Sequence, residues 1–329
     1  MYVHRLYKWL ALIVEWCDAA QVTIDMLPDL ALLEIFDFYL YGQYKMWRTL
    51  VHVSRRWRNV VLGSPRRLKL ELFCNARTPV EEMLEVWPPL PIFVCNNGDH
   101  RWGIHNIIAA LEHNDRICRL NLCDLPGSQL ETVLETMEQP FPELTLLILR
   151  LHPLQLGREQ APVIPASFLG GSAPHLQTLW FDFIPLPGLP KFLLSATHLV
   201  FLILTNIPHF FSPEEMAACL SVLTKLKSLT IDFESFQSLP ETNRHPSPQT
   251  RALLPVLTWF SFAGVKEYLE DLVAQIDAPL LDRVTISLRG FDSDIPQLTK
   301  FFGRTPKLKA HDEAYGVLDD LRRSRYITF

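Results

Sequence analysis

Glycine is scarce in this sequence, with 13 residues among 329, whereas 55 residues are leucine and 25 are proline. None of the motifs GxxxxGK[ST], GxGxxG, GxSxG or HExxH occurs. These motifs place phosphates, dinucleotides, a serine nucleophile or a catalytic zinc ion in many enzymes. Their absence argues against those enzyme classes, so we predict no catalytic residue, no cofactor and no enzymatic activity.

Cysteine is also infrequent, with six residues, none of which forms a CxxC pair. Structural zinc sites need paired ligands at short spacing, and disulfide frameworks belong to short secreted chains. His100, His105 and His113 cluster in sequence. However, His105 and His113 fall more than two turns apart on one predicted helix, so a solvated face is favoured over a metal site. No Asn-x-Ser/Thr sequon occurs, and together these features favour a reducing compartment, either cytoplasm or nucleus.

Long hydrophobic runs are missing. The run from Trp9 to Val14 contains six residues before Glu15, whereas a membrane span needs about 20. We therefore expect no membrane partner. The first 24 residues are predicted to form a short amphipathic helix, and a targeting peptide is the alternative interpretation.

Acidic residues are absent from one basic stretch. Eight basic residues and no acidic residue lie between Lys45 and Lys69, which leaves 23 basic against 36 acidic residues elsewhere. Such a stretch can bind phosphates. Here Trp47 and Trp57 fall on the apolar face of a predicted helix, so the arginines are expected to face solvent or an acidic partner. No nucleic-acid partner is predicted.

Two short helices are predicted between residues 25 and 72. Leu27-Pro28-Asp29 is a helix-start signal, because Pro is tolerated in the first turn. The first stripe at helical spacing contains Leu32, Leu33, Phe36 and Leu40, and the second contains Trp47, Leu50, Ser54, Trp57 and Val61. About 45 residues cannot bury a self-sufficient core. The stripe therefore packs either on a partner or on its own chain.

The stretches Leu27 to Leu40 and Trp47 to Arg58 resemble an F-box, in the form common in fungal proteins, through LP, LLEIF and RRWR at these distances. Leu30, Ala31 and Ser54 depart from the usual pattern. The resemblance implies docking onto a Skp-type adaptor and through it onto a cullin. The positions assigned to that contact are Leu27, Pro28, Leu32, Leu33, Ile35, Phe36 and Trp57.

The remainder of the chain repeats an LxxLxL stretch seven times, beginning at residues 117, 144, 176, 199, 226, 257 and 281, and a degenerate eighth copy begins at Leu308. The mean step of about 27 residues is typical of leucine-rich repeats. Helices are predicted between the stretches, at 128–138, 212–223, 265–276 and 294–302. A doubly wound parallel sheet is the competing architecture.

The predicted fold class is α/β, namely a small all-helical F-box module followed by an irregular leucine-rich-repeat solenoid. The predicted divisions are an N-terminal helical extension at 1–24, the F-box module at 25–72, a linker and solenoid cap at 73–115, and the solenoid at 116–329.

Alternation within the repeated stretches assigns two faces. In the stretch from Leu176 to Asp182, Leu179 and Phe181 are predicted to point into the core, and Trp180 points to the opposite, concave face. The corresponding central row is Asn121, Ile148, Trp180, Ile203, Thr230, Ser261 and Thr285. The predicted client-binding residues are Arg150, Trp180, Asp182, Thr230, Asp232 and Thr285. Trp180 is expected to be an exposed anchor, and the alternative is that a neighbouring loop covers it.

These features together predict a substrate-recognition subunit of an SCF-type cullin–RING ubiquitin ligase, which directs ubiquitin-dependent degradation of an unknown client protein. The alternative is a leucine-rich-repeat scaffold that binds proteins outside any ubiquitin ligase.

Overall fold

The structure is a computed structural model. It describes residues 24–39, 47–63, 70–77, 79–96, 103–151, 162–234, 251–288, 295–306, 308 and 327–328. The chain divides into two compact units, Met1–Glu71 and Leu72–Phe329. The predicted N-terminal helix lies outside the described residues, as does His100.

The described residues of the first unit form three α-helices, which follow a 3-10 turn at Ile24–Met26. They are α1 (Asp29–Tyr39), α2 (Trp47–Val53) and α3 (Arg55–Leu62). As predicted, α1 begins directly after Pro28, and α3 ends at Gly63, whose backbone N–H donates to the carbonyl of Asn59.

The second predicted helix is divided at Ser54. The backbone of Ser54 is extended (φ −154°, ψ 164°), and its Oγ accepts a hydrogen bond from the backbone N–H of Trp57 at 3.1 Å. Ser54 is therefore the N-cap of α3 and not a member of a continuous apolar stripe. The prediction failed because serine at helical spacing is compatible with both roles, and the hydroxyl competes for backbone N–H groups.

Ten strands form one sheet in the order β1-β2-β3-β4-β5-β6-β7-β9-β11-β12. Their bounds are β1 Leu70–Phe73, β2 Ile92–Cys95, β3 Ile117–Leu125, β4 Leu146–Leu151, β5 Thr178–Asp182, β6 Phe201–Ile207, β7 Ser228–Phe233, β9 Trp259–Gly264, β11 Arg283–Leu288 and β12 Ile327–Thr328. From β2 to β11 every pairing in this sheet is parallel, and β12 pairs antiparallel with β11. Two further strands, β8 (Ala252–Leu253) and β10 (Ile276–Asp277), form a separate parallel pair.

Where the structure describes this unit, six α-helices lie between its strands: α4 Val80–Val86, α5 Ile104–Leu111, α6 Gly127–Thr136, α7 Pro213–Val222, α8 Lys266–Ala274 and α9 Pro296–Gly303. Four successive pairs in this series pack on one another, namely α4 with α5, α5 with α6, α7 with α8, and α8 with α9. The start of α7 follows the sequence signal, since Ser212 Oγ caps the N–H of Glu215 at 3.2 Å and Pro213 occupies the first turn.

The strands have one buried face and one half-buried face. Alternate residues of β4, β6 and β9 are buried, and the intervening ones are half-buried or exposed. Each of the seven repeated stretches overlaps one strand of the sheet. As predicted, Leu179 and Phe181 have no exposed surface. The buried alternate residues share a continuous apolar core with the interleaved helices.

The predicted fold class is nevertheless wrong. In place of a small all-helical F-box module followed by a leucine-rich-repeat solenoid, the structure has a largely parallel sheet with interleaved helices, an α/β arrangement. The sheet begins at Leu70, so the first compact unit is not purely helical, and β2 and α5 lie inside the range predicted as linker and cap. The prediction failed because an LxxLxL stretch specifies one half-buried strand but not how the strands associate. The strands LELF and IFVC lack that signature altogether.

No helix among the described residues is long and apolar enough to cross a membrane.

Candidate functional site

The half-buried face of the sheet carries the predicted central row. The strand register aligns Asn121 with Ile148, then with Trp180, Ile203, Thr230, Ser261 and Thr285 in succession. These side chains are all half-buried. The alternation of the sequence thus predicted this row correctly, because side chains at every second position of a strand share a face.

Arg150, Trp180 and Asp182 form one hydrogen-bonded cluster on this face. The guanidinium Nε of Arg150 donates to Asp182 Oδ2 at 3.0 Å, and its Cζ lies 5.0 Å from the centroid of the Trp180 ring. Asp182 Oδ1 accepts from Thr205 Oγ1 at 2.9 Å and from Asn206 Nδ2 at 2.8 Å. The indole N–H of Trp180 donates to Thr205 Oγ1 at 3.0 Å. The strands β4, β5 and β6 therefore supply one interlocked polar network.

The electrostatics of the cluster favour its charged form. Burial lowers the pKa of the Arg150 guanidinium, but the hydrogen bond and the charge of Asp182, together with smaller contributions from Cys123 and Asp124, raise it, and the net pKa is raised. A buried carboxylate is stable when it is paired and hydrogen-bonded in this way. Asp182 is 4% exposed.

Two predictions for this cluster need correction. Trp180 was expected to be an exposed anchor, but it is half-buried beneath Arg150 with its N–H already bonded. Asp182 was predicted to be a client-binding residue of this face, but it is buried and accepts three hydrogen bonds. Both residues stabilise the face and are not free to bind a partner through those groups. The sequence could not show this, because the pairing depends on which strands are adjacent.

The remaining predicted residues lie further along the same face. Thr230 and Asp232 on β7 are half-buried, and so is Thr285 on β11. Register places Asp232 beside Ala263 of β9 and Thr285 beside Thr328 of the antiparallel edge strand. None of the three belongs to the Arg150 cluster.

The backbone is left-handed at three residues near the carboxyl ends of β3, β5 and β6. They are Asp124 in β3, Phe183 directly after β5 and Asn206 in β6, with φ values of 56°, 59° and 52°. For an aromatic residue such as Phe183 this conformation costs about 1–3 kcal/mol. The backbone N–H of Phe183 donates to the carbonyl of Thr205 at 3.1 Å, and Asn206 Nδ2 donates to Asp182. The cluster thus holds the carboxyl ends of β5 and β6 in a strained conformation.

A second row, which sequence reasoning missed, lies two residues earlier on each strand. The register aligns Phe93, Arg119, Leu146, Thr178, Phe201, Ser228, Trp259 and Arg283. We call these eight residues the front row. Extending the same alternation back by two positions would have identified the seven members from Arg119 onwards, because they share the face of the central row.

The front row contains the exposed aromatic side chains of the face. Phe201 is 44% exposed and Trp259 is 43% exposed. At one end the Arg119 guanidinium carbon lies 4.9 Å from the Phe93 ring centroid. At the other end the Arg283 guanidinium carbon lies 5.6 Å from that of Trp259. Such cation–π pairs hold a guanidinium by its face and leave its N–H groups at the edge.

The residues assigned to adaptor binding divide into two groups. Leu32, Leu33 and Phe36 are buried in the described chain, and the Phe36 ring lies 4.7 Å from that of the half-buried Trp57. Pro28 is exposed, and Leu27 and Ile35 are half-buried. The assignment from the sequence did not include three exposed apolar residues at the start of this unit, namely Leu30 (72%), Met26 (68%) and Ile24 (46%). Among the residues described in the unit, Val53 of α2 is also exposed, at 56%.

Burial disfavours the thiolate form of four cysteines among the described residues. Burial raises the pKa of Cys74 and of Cys219 to about 12, and it also raises the pKa values of Cys118 and Cys123. A protonated, buried thiol is a poor nucleophile and a poor metal ligand. No group of three or more His, Cys, Asp or Glu side chains among the described residues could hold a metal ion.

A scan against models of known protein families gives no match, and a search of curated proteins finds no similar protein.

Proposed function

We propose that this protein is a non-catalytic substrate-recognition subunit of an SCF-type ubiquitin ligase. Its first unit would bind a Skp-type adaptor, and through it a cullin, while the half-buried face of the sheet would bind a client protein. The observation that carries the proposal is the exposure of apolar side chains between Ile24 and Leu30, at the start of the stretch that resembles an F-box.

The Ile24–Leu30 segment is well suited to docking. Exposed apolar residues so close together mark interaction sites on soluble proteins. Arg56 of α3 donates to the carbonyl of Leu27 and to Asp29 Oδ1, the latter at 2.7 Å. These bonds fix the segment against α3 before any partner arrives, which lowers the entropic cost of binding.

The buried members of the motif would act differently from the exposed ones. Leu32, Leu33 and Phe36 would shape the helical unit, whereas Met26, Pro28 and Leu30 would contact the adaptor. Aspartate at Leu33 or Phe36 would place a charge inside the unit and unfold it. Those substitutions would therefore not separate loss of binding from loss of folding.

The mechanism would be proximity. A receptor that holds an adaptor at one unit and a client at the other raises the effective concentration of the client near the transferring enzyme. No chemistry by the receptor's own side chains is required. A protein with this role would work in the cytoplasm or the nucleus.

Co-purification with a Skp-type adaptor tests the proposal. The double variant Met26→Asp/Leu30→Asp should lose the adaptor, because two charges would enter an apolar contact, while its melting temperature stays unchanged. Leu194→Asp is the matched control, since Leu194 is 55% exposed in the other unit, and it should retain the adaptor. A folded wild-type chain that captures no Skp-type adaptor would refute the receptor proposal.

One observation favours a second function, that of a protein-binding scaffold outside any ligase. Three of the seven residues assigned to the adaptor contact, Leu32, Leu33 and Phe36, are already buried within the chain. Under this alternative the sheet would bind its client in the same way, but neither adaptor nor cullin would accompany the complex.

A further inference from the structure

The two ends of the front row have the same construction. Phe93 lies opposite Arg119 on adjacent strands, and Trp259 lies opposite Arg283. In both pairs the guanidinium lies over the ring of its cross-strand partner, at 4.9 Å and 5.6 Å. Each arginine is thus held in place by an aromatic face and not by a carboxylate.

The guanidinium groups of Arg119 and Arg283 form no hydrogen bond or ion pair with any residue that the structure describes. This distinguishes them from Arg150, which is bonded to Asp182. A guanidinium has five N–H donors in its plane, arranged to match a carboxylate. Both groups are therefore oriented and still able to accept an anionic ligand.

The front-row residues that lie between the two arginines carry no charge. They are Leu146, Thr178, Phe201, Ser228 and Trp259. Six strand intervals separate β3 from β11 in the sheet order, which corresponds to roughly 29 Å along the sheet at about 4.8 Å per interval. Phe201, 44% exposed, lies on β6 at the midpoint, three intervals from each arginine.

From this arrangement we propose that the front row binds an extended acidic segment of a protein, which crosses the strands with carboxylates at Arg119 and Arg283 and an apolar side chain at Phe201. Two carboxylates about 8–9 extended residues apart span this distance, at about 3.3 Å per residue. A nucleic acid fits less well, because it carries closely spaced phosphates and would require cations all along the row. This inference rests on the proposed client-binding role of the sheet and specifies its ligand.

Fluorescence polarisation on the full chain tests the spacing. The probe is a labelled peptide of about eleven residues, with Glu pairs at both ends, Leu at the centre and Ser and Gly elsewhere. Its matched control has the same composition with all four Glu residues next to the central Leu. The spaced peptide should bind at least about tenfold more tightly than the clustered one, and added salt should weaken its binding. Equal affinities would refute the proposed placement.

Substitutions test the residues. Arg119→Ala/Arg283→Ala should weaken binding of the spaced peptide by about tenfold or more without changing the melting temperature. Arg77→Ala is the control, because Arg77 is exposed in the same unit but lies outside the sheet, and its affinity should equal that of the wild type. An unchanged affinity of the double variant, or tighter binding of single-stranded DNA than of the peptide, would overturn the proposal.

The outcomes remain separable from those of the proposed function. A chain that binds the Skp-type adaptor but not the spaced peptide would refute the front-row inference alone. A chain that binds the peptide but no adaptor would refute the ligase role and leave the front row as a binding surface.

Discussion

Arg150 and Asp182 form an ion pair across adjacent parallel strands, with 3.0 Å between Nε and Oδ2, and only the carboxylate side of the pair is buried. Asp182 also holds Thr205 and Asn206, so a single carboxylate joins three strands at their carboxyl ends.

Replacing Asp182 by alanine should therefore destabilise the sheet. The change leaves the donors of Thr205, Asn206 and Arg150 without their acceptor, and Arg150 is only partly exposed. We expect a loss of about 2 kcal/mol in the free energy of unfolding, measured by urea denaturation. Asp282→Asn, on an exposed side chain, should change it by less than about 0.5 kcal/mol. Equal urea midpoints for the two variants would contradict the structural role of Asp182.

Removing the hydroxyl of Tyr268 should increase the stability of the chain, in contrast to the loss expected for Asp182→Ala. Its side chain has no exposed surface and packs among Phe233, Phe262 and Phe211, but its hydroxyl has no hydrogen-bond partner among the described residues. An unpaired buried hydroxyl costs free energy, so Tyr268→Phe should stabilise the chain by about 1 kcal/mol at neutral pH. A rise in melting temperature supports this, whereas a fall would indicate that the hydroxyl is bonded.

The same hydroxyl makes stability depend on pH in the alkaline range. Burial, with smaller contributions from the charges of Glu214 and Glu215, raises the pKa of Tyr268 well above its ordinary value of 10.0. The Tyr268 hydroxyl ionises at a lower pH in the unfolded state than in the folded state. The stability of the fold relative to the unfolded state is therefore unaffected by this hydroxyl's ionisation below about pH 10, and it falls as the pH rises toward the folded pKa. Urea denaturation at several alkaline pH values should show a smaller loss of stability in Tyr268→Phe than in the wild type.

The side chain of Glu270, which belongs to α8, caps the N-terminus of α9. Its two carboxylate oxygens accept the backbone N–H groups of Gln297 and Leu298, at 2.8 and 2.9 Å, at the start of α9. Glu270→Gln should lose about 1 kcal/mol of stability, because an amide presents one acceptor and no charge to the helix N-terminus. Hydrogen exchange should accelerate at these two amides. Glu267→Gln, exposed on the same helix, serves as the control, and equal exchange in both variants would contradict the capping role.

Ser54→Ala should destabilise the first unit by about 1 kcal/mol, since the N–H of Trp57 loses its cap. Ser54→Asp should restore most of the loss, because aspartate is an equally good N-cap. Circular dichroism during thermal unfolding measures both effects. If alanine and aspartate behave alike, the hydroxyl does not act as a cap.

Local patterns were sufficient for much of the structure. Ser212-Pro213-Glu214 predicted the start of α7, and the alternation around Leu179 and Phe181 predicted the buried face and the central row. These features depend on neighbours in sequence, for which spacing alone is enough. The fold class was predicted wrongly, because the strands at Leu70 and Ile92 lack the repeated signature and still join the sheet.

The sequence predicted where the residues of the candidate site lie, but not which of their polar groups are already hydrogen-bonded. Arg150, Trp180 and Asp182 do lie together, but the charge of Arg150 is paired and the N–H of Trp180 is already bonded. The sequence does not show that Thr205 and Asn206, more than 20 residues away, supply the competing hydrogen bonds.

The sequence by itself determined that the seven repeated stretches form strands, and which face of each of these strands is apolar, because these properties follow from the period of the hydrophobic residues. Only the tertiary structure decided which side chains remain available. Because β4, β5 and β6 are adjacent, the polar groups of the Arg150 cluster hydrogen-bond to one another. The guanidinium groups of Arg119 and Arg283 instead stack on the rings of Phe93 and Trp259 and form no hydrogen bond with described residues. The physical reason is that hydrogen bonds and cation–π contacts depend on distances between strands that are far apart in sequence.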